Sequence, residues 1–204
     1  MPELGSDQAT PARPISPLRP AGPATDDSAG VVIEDLCLLT KLTVRAAAAS
    51  AVAATVGVRF GRAAWHGEIL RVGAGPDEWH LLGPTGSSML ADTRHALVAV
   101  PGLVSVLDIS HGRGLVRMRG PRVSDLLARL TAFDLDDRFV PDGAAFRTSV
   151  ASVVTDVVRD DRDGPSYLLH CERSSARWLV DSFLTAGADF GATLVDGAWA
   201  QPAQ

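Results

Sequence analysis

The sequence predicts an α+β fold built from two rounds of strand-helix-strand-strand-helix-strand. Three observations carry this. Strand-period and helix-period apolar patterns alternate along residues 35–195. One segment has an echo: Gly75-Pro76-Asp77-Glu78-Trp79-His80-Leu81-Leu82 resembles Asp163-Gly164-Pro165-Ser166-Tyr167-Leu168-Leu169, each a Gly-Pro turn, an aromatic and two leucines, followed by a Ser-started helix. The chain has 204 residues and is 46% hydrophobic, which suits one globular domain or two tightly joined halves.

The elements follow in order. Residues 35–45 place Leu36, Leu38, Leu42 and Val44 in a mostly alternating pattern, the mark of a strand. Residues 46–56 are an Ala-rich helix candidate stopped by Gly57. Residues 58–67, with Trp65 and His66, fit no pattern. Residues 68–72 and 78–82 read as strands around a Gly- and Pro-containing turn. Residues 87–100 read as a helix with Ser87 as N-cap and Pro101-Gly102 as stop. A strand at 103–109 closes the first round. The second predicts a strand at 115–119, a helix at 123–130 after Pro121, and strands at 145–150 and 152–159. A charged turn at 160–165 leads to a strand at 166–171, a helix at 174–185 ended by Gly187, and a last strand at 191–195. Residues 1–30 are Pro- and Ala-rich with few large apolar side chains, so a disordered tail is expected there. Residues 31–197 form the domain, and 198–204 are expected to be a flexible C-terminus apart from Trp199.

Composition excludes several functions. The net charge is −5 and no basic stripe tracks along a face, which argues against nucleic acid. No apolar run reaches the roughly 20 residues that span a membrane, and the Pro-rich start has no h-region, so a cytoplasmic location is expected. Cys37 and Cys171 lack CxxC or Cys/His spacing and read as buried free thiols. Gly73-Ala74-Gly75 begins like a dinucleotide loop, but Glu78 stands where the third Gly belongs and a strand follows instead of a helix. No Walker A lysine is present, because Lys41 is the only lysine.

A series of motifs carries a resemblance. Gly75 to Gly83, GPDEWHLLG, is similar to the GPDEWLL signature of the gamma subunit of heterotetrameric sarcosine oxidase. Asp108-Ile109-Ser110, Gly120-Pro121-Arg122 with the following helix, Phe133-Asp134-Leu135, Phe139-Val140-Pro141-Asp142-Gly143, Cys171-Glu172-Arg173-Ser174 and Ala188-Asp189-Phe190-Gly191 follow in that subunit's order. Asp108-Ile109-Ser110-His111 with Gly120-Pro121 also resembles the wider aminomethyltransferase (glycine-cleavage T-protein) superfamily. The resemblance implies two ferredoxin-like units forming a folate-binding, aminomethyltransferase N-terminal-like domain. It implies a non-catalytic structural subunit of an oxidase that demethylates sarcosine to glycine, releasing hydrogen peroxide and formaldehyde or 5,10-methylenetetrahydrofolate. The partners implied are alpha, beta and delta subunits, with FAD, FMN, NAD, zinc and tetrahydrofolate on those other chains. Two alternatives remain: a stand-alone folate-dependent aminomethyl transferase, and a folate-fold scaffold of another amine-oxidising complex.

Candidate site residues are few. Asp108, Ser110 and His111 are the residue types of a hydrolytic triad, but adjacency in a strand would put Ser110 and His111 on opposite faces, and no GxSxG elbow is present. Asp156 is the candidate acid/base. An alternating strand places it on one face with Val154 and Val158, and in the resembled superfamily an aspartate near this point assists chemistry at folate. Trp79 and Tyr167, with Phe133 and Trp178, are aromatics able to stack on a pterin, and Arg173 or Arg177 could meet a carboxylate. His80 and His170 are expected at the surface or a strand edge, without a completed metal-ligand set.

Overall fold

The structure is a computed structural model that describes residues 15–18, 29–161 and 164–199. The first sheet has the order β3-β4-β5-β2-β6, from Ala63–His66 (β3), Ile69–Gly75 (β4), Glu78–Gly83 (β5), Thr40–Arg45 (β2) and Ser105–Asp108 (β6). The second has the order β11-β1-β7-β10-β9-β8, from Thr193–Asp196 (β11), Val32–Asp35 (β1), Arg113–Arg119 (β7), Ser166–Glu172 (β10), Val153–Arg159 (β9) and Ala145–Val150 (β8). Ala51–Val56 (α1) and Ser88–Val98 (α2) belong to the first unit, and Val123–Ala128 (α3) and Arg173–Ala186 (α4) to the second. Set β3 aside and the first sheet has the strand order of a ferredoxin-like βαββαβ unit. Set β8 and β1 aside and the second has the same order. Each unit adds its extra strand at the same place, β3 beside β4 and β8 beside β9, so the duplication goes further than the single echo.

Period-2 alternation assigns each strand two faces, and both are used. Leu42, Val44, Ile69, Trp79 and Leu81 pack under Val52 and Val56 of α1 and Leu90 and Leu97 of α2. Val116, Met118, Tyr167 and Leu169 pack under Leu126 of α3 and Leu179, Val180 and Phe183 of α4. The opposite faces meet each other: Leu70, Val72 and Leu82 of the first sheet join Leu115, Ala145, Val158 and Leu168 of the second. The layers therefore run helices, sheet, sheet, helices. Gly114 allows α4 to lie close on β7, since a Cβ there would stand 2.5 Å from Ala176. Strand β1 precedes the first unit in sequence yet sits in the second unit's sheet, antiparallel to β7 and parallel to β11, which ties the units together.

Several expectations need correction. The strand expected over 35–45 begins only at Thr40: Asp35 is the last residue of β1, and residues 36–39 form a turn in which Asp35 Oδ1 accepts the Cys37 N–H at 2.9 Å. The helix expected from 46 starts only at Ala51, because Ala46 N–H donates to the Asp77 carbonyl (3.2 Å) and Ala48 N–H to its carboxylate (2.7 Å). Tertiary partners outweigh alanine propensity there. The unassigned stretch 58–67 holds edge strand β3. Ser110 and His111 lie in a turn after β6, so strand alternation does not separate them. Ala151 and Ser152 make a two-residue hairpin turn at φ 48° and 67° without the usual Asn-Gly. Ser87 does cap α2, its Oγ accepting from Leu90 N–H at 3.0 Å.

Most of the expected tail 1–30 lies outside the described residues, as do 200–204 of the expected C-terminus. Ile15–Leu18 are described and dock on the second unit. Ser16 Oγ donates to Asp35, and Leu18 is 3% exposed within the α3/α4 core. Leu18→Ala is expected to lower stability by about 2 kcal/mol in urea melts, the lower end for a buried leucine. A loss near zero would mean that the segment does not contribute to the core. Trp199 docks as well: Nε1 donates to the Glu68 carbonyl at 2.8 Å and its ring lies 4.8 Å from Trp65.

Candidate functional site

The inter-sheet layer has an apolar middle and charged groups at both ends: Asp156 and Asp160, the latter just past the end of β9, flank Val158, and Arg113 and Arg117 flank Leu115 on β7. On β9 and β10 the register sets Asp156 directly opposite His170. On β5, His80 alternates with Trp79 and Leu81, so it faces the second sheet while they face the helices. All three are buried: Asp156 is 6%, His80 3% and His170 4% exposed. His80 Nε2 stands 3.7 Å and His170 Nδ1 3.5 Å from Asp156 Oδ2, and the imidazole rings meet edge to face at 5.0 Å.

Charges of both signs frame this trio. Arg147 of β8 donates to Asp156 Oδ1, and Arg113 of β7 donates to Oδ2 at 2.9 Å. Arg113 also donates to Glu172. Glu78, next along its strand face from His80, accepts from Arg45 at 3.0 Å and lies 3.6 Å from His80 Nε2. Three arginines thus balance Glu78, Asp156 and Glu172. Burial alone would push the Asp156 carboxyl up. The close approach of His170 and His80 and the hydrogen bond from Arg147 outweigh it and hold the group well below the usual carboxylate range. Burial pushes His170 down to about 3, which the neighbouring carboxylate only partly opposes, so its imidazole is neutral near pH 7. His80 Nδ1 and Nε2 and His170 Nε2 have no hydrogen-bond partner among the described residues.

A second network crosses the layers at the other end. Asp160 accepts from Trp65 Nε1 at 2.7 Å and from Arg117 at 3.1 Å, and Arg117 lies over the Trp199 ring. Lys41 is fully buried and donates to the carbonyls of Cys37 (2.7 Å), Leu39 (2.8 Å) and Ser110 (3.3 Å), pinning the β1–β2 turn to the turn after β6. Asp108 and Ser110 are structural in the same way. Asp108 Oδ1 accepts the Ser110 N–H (2.9 Å) and O–H (2.6 Å), and Ser110 Oγ accepts the Lys41 N–H.

The candidates read from sequence do not converge. Asp156 lies in the polar layer, but Trp79 and Tyr167 point away from it into two separate helix-side cores. Trp79 is 3% exposed with Nε1 on the Val58 carbonyl, and Tyr167 is fully buried. Neither presents a ring face to a ligand. Arg173 opens α4 and donates to the Ile15 carbonyl; Arg177 pairs with Asp181 one turn on. Phe133 stacks on Phe146, and Trp178 is exposed, with Nε1 on the Ala151 carbonyl. A cavity of about 270 Å³ between α2 and the first sheet, lined by Thr40, Leu42, Ser87, Leu90, Arg94 and Asp108, contains none of these aromatics.

His80 and His170 correct the expectation most sharply, since they are interior and share one carboxylate. Even the Asp156–His170 pair was not legible in the sequence: a hairpin centred on the 160–165 turn would set Asp156 opposite Leu169, one residue from the observed register with His170. No sequence signal brings in His80, Arg113 or Arg147.

The model of the family described as "Sarcosine oxidase, gamma subunit family" matches residues 42–187, spanning both units. No curated protein matches the chain. Among solved structures, the chain is similar to one of heterotetrameric sarcosine oxidase from Corynebacterium sp. U-96 in complex with pyrrole 2-carboxylate. They share 24% identity over 82% of this chain and 89% of that one, at a TM-score of 0.70. It is also similar to the glycine cleavage system aminomethyltransferase T from Bartonella henselae, at 13% identity, 82% of this chain, 48% of that one and a TM-score of 0.64. At these identities the likeness is one of fold.

Proposed function

Because the chain belongs to the sarcosine oxidase gamma subunit family, we propose that it is a non-catalytic structural subunit of a heterotetrameric sarcosine oxidase. The family match across 42–187 carries this reading. In it, the alpha, beta and delta chains are the partners, and FAD, FMN, NAD, zinc and tetrahydrofolate reside on them. The complex would oxidise sarcosine to glycine with hydrogen peroxide as a product.

The interior supports a structural role. Asp156, the candidate acid/base, is held by two arginines and faces two histidines. A general base at neutral pH needs a pKa near the working pH, and this carboxyl is shifted the other way. The residues present do not fit a folate: of the four aromatics able to stack on a pterin, Trp79 and Tyr167 are enclosed in different cores, Phe133 stacks on Phe146 and Trp178 lies exposed on α4, so no step is assigned to that cofactor. No helix among the described residues is long and apolar enough to cross a membrane.

Co-expression tests the reading. With alpha, beta and delta chains from the same source, this chain should co-purify in a flavin-coloured complex and be colourless alone. Leaving it out should lower the yield of assembled oxidase without changing the flavin content of what assembles. Recovery of this chain alone, beside a fully assembled oxidase of the other three, would overturn the assignment.

A further inference from the structure

The inter-sheet trio fits a metal better than it fits an ordinary buried ion pair. We propose that His80, Asp156 and His170 bind a borderline divalent transition cation, of which zinc(II) is the best match, as a clamp between the two ferredoxin-like units. One ligand atom from each of the three lies within 4.8 Å of the other two. The oxygen-nitrogen separations of 3.5 and 3.7 Å are close to the distance of about 3.4 Å between ligand atoms in a tetrahedral site with bonds of about 2.1 Å. Glu78 Oε1, 3.6 Å from His80 Nε2, is placed to become a fourth ligand by a side-chain rotation. Two imidazoles select a transition ion over magnesium or calcium, which take all-oxygen shells.

The surrounding groups suit the assignment. Burying an imidazole with neither nitrogen bonded is costly, and His80 is in that state. A cation bound through Nε2 removes part of that cost. Arg147 occupies Asp156 Oδ1 and Arg113 one side of Oδ2, which leaves the other lone pair of Oδ2 for the ion. The arginines then orient the ligating carboxylate from outside, as carboxylate partners do in metal sites. Their positive charge opposes the ion, and Glu78 and Glu172 offset it. His80 comes from the first sheet, and Asp156 and His170 from the second, so the ion would cross-link the units. This inference is independent of the chain's place in an oxidase.

Zinc(II) titrated into chelator-stripped full-length chain should bind at one equivalent with micromolar or tighter affinity and raise the Tm. His80→Ala and His170→Ala should each weaken it at least 100-fold. Imidazole NMR of the unsubstituted chain decides the matter even if a variant fails to fold. Zinc should shift the His80 and His170 resonances and leave those of the exposed His66, His95 and His111 in place. No saturable binding, or shifts confined to the three exposed histidines, would overturn the proposal.

Discussion

Replacing Asp156 by alanine in the metal-free chain is expected to lower the unfolding free energy by about 3–5 kcal/mol, the range for a broken buried ion pair. The effect is large because the carboxylate is shared. Its removal leaves the Arg113 and Arg147 guanidiniums without their inner acceptor, His170 without its neighbouring carboxylate and His80 with Glu78 alone. Arg147 is nearly half exposed and can turn to water; Arg113 is much less exposed and keeps only Glu172. The lower part of the range is therefore the better expectation. Adding Arg113→Ala to Asp156→Ala should cost far less than the two single losses summed, because the second change removes a group already orphaned. Urea melts of the four proteins measure this. A single-variant loss below about 1 kcal/mol would mean that the layer is well hydrated and the pairing weak.

The second large effect is a pH dependence at Lys41. Burial lowers its ammonium pKa from 10.5 to about 8, with the charges of nearby acidic groups opposing only part of the shift. The unfolded chain therefore holds this proton more tightly than the folded one. Below pH 8 both states carry it, and the cost of burying the charge is fully present. Between pH 8 and about 10.4 the unfolded chain binds more protons, so stability rises with pH, by about 3 kcal/mol over the interval. Other groups titrate there too, including Cys37, whose thiol burial pushes up to about 12. The informative quantity is the difference between the unsubstituted chain and Lys41→Met. That difference should move toward the unsubstituted chain on going from pH 7.5 to pH 10. A flat difference would show that the three carbonyls around Nζ fully replace water for the charged form.

Much of the fold was legible from local rules. Ser87 caps its helix, Gly57 at φ 70° ends α1, and the strand at 145–150 lies where alternation puts it. The helix expected at 174–185 spans Arg173–Ala186, with Ala176, Leu179, Val180 and Phe183 buried at helical spacing. The failures share one cause. The break after Asp35, the late start of α1 and edge strand β3 are decided by partners far along the chain: Leu115 for Leu36, Asp77 for Ala46 and Ala48, and Gly143 for Ala63. Local propensity is too weak to resist them.

The candidate site divides the same way. By itself, the sequence determined that Asp156 lies on a strand face with Val158, that the chain repeats one unit twice, and which family its ordered motifs resemble. These depend on period and spacing, which are properties of neighbouring residues. Only the tertiary structure decided what Asp156 faces. Alternation tells which side chains share a face, but not which second sheet covers that face or in what register. Stacking the two sheets brought His80 of one unit to Asp156 and His170 of the other, and turned Trp79 and Tyr167 away into separate cores. That contact joins residues more than seventy positions apart through side chains alone, with no backbone pairing to record it in the sequence.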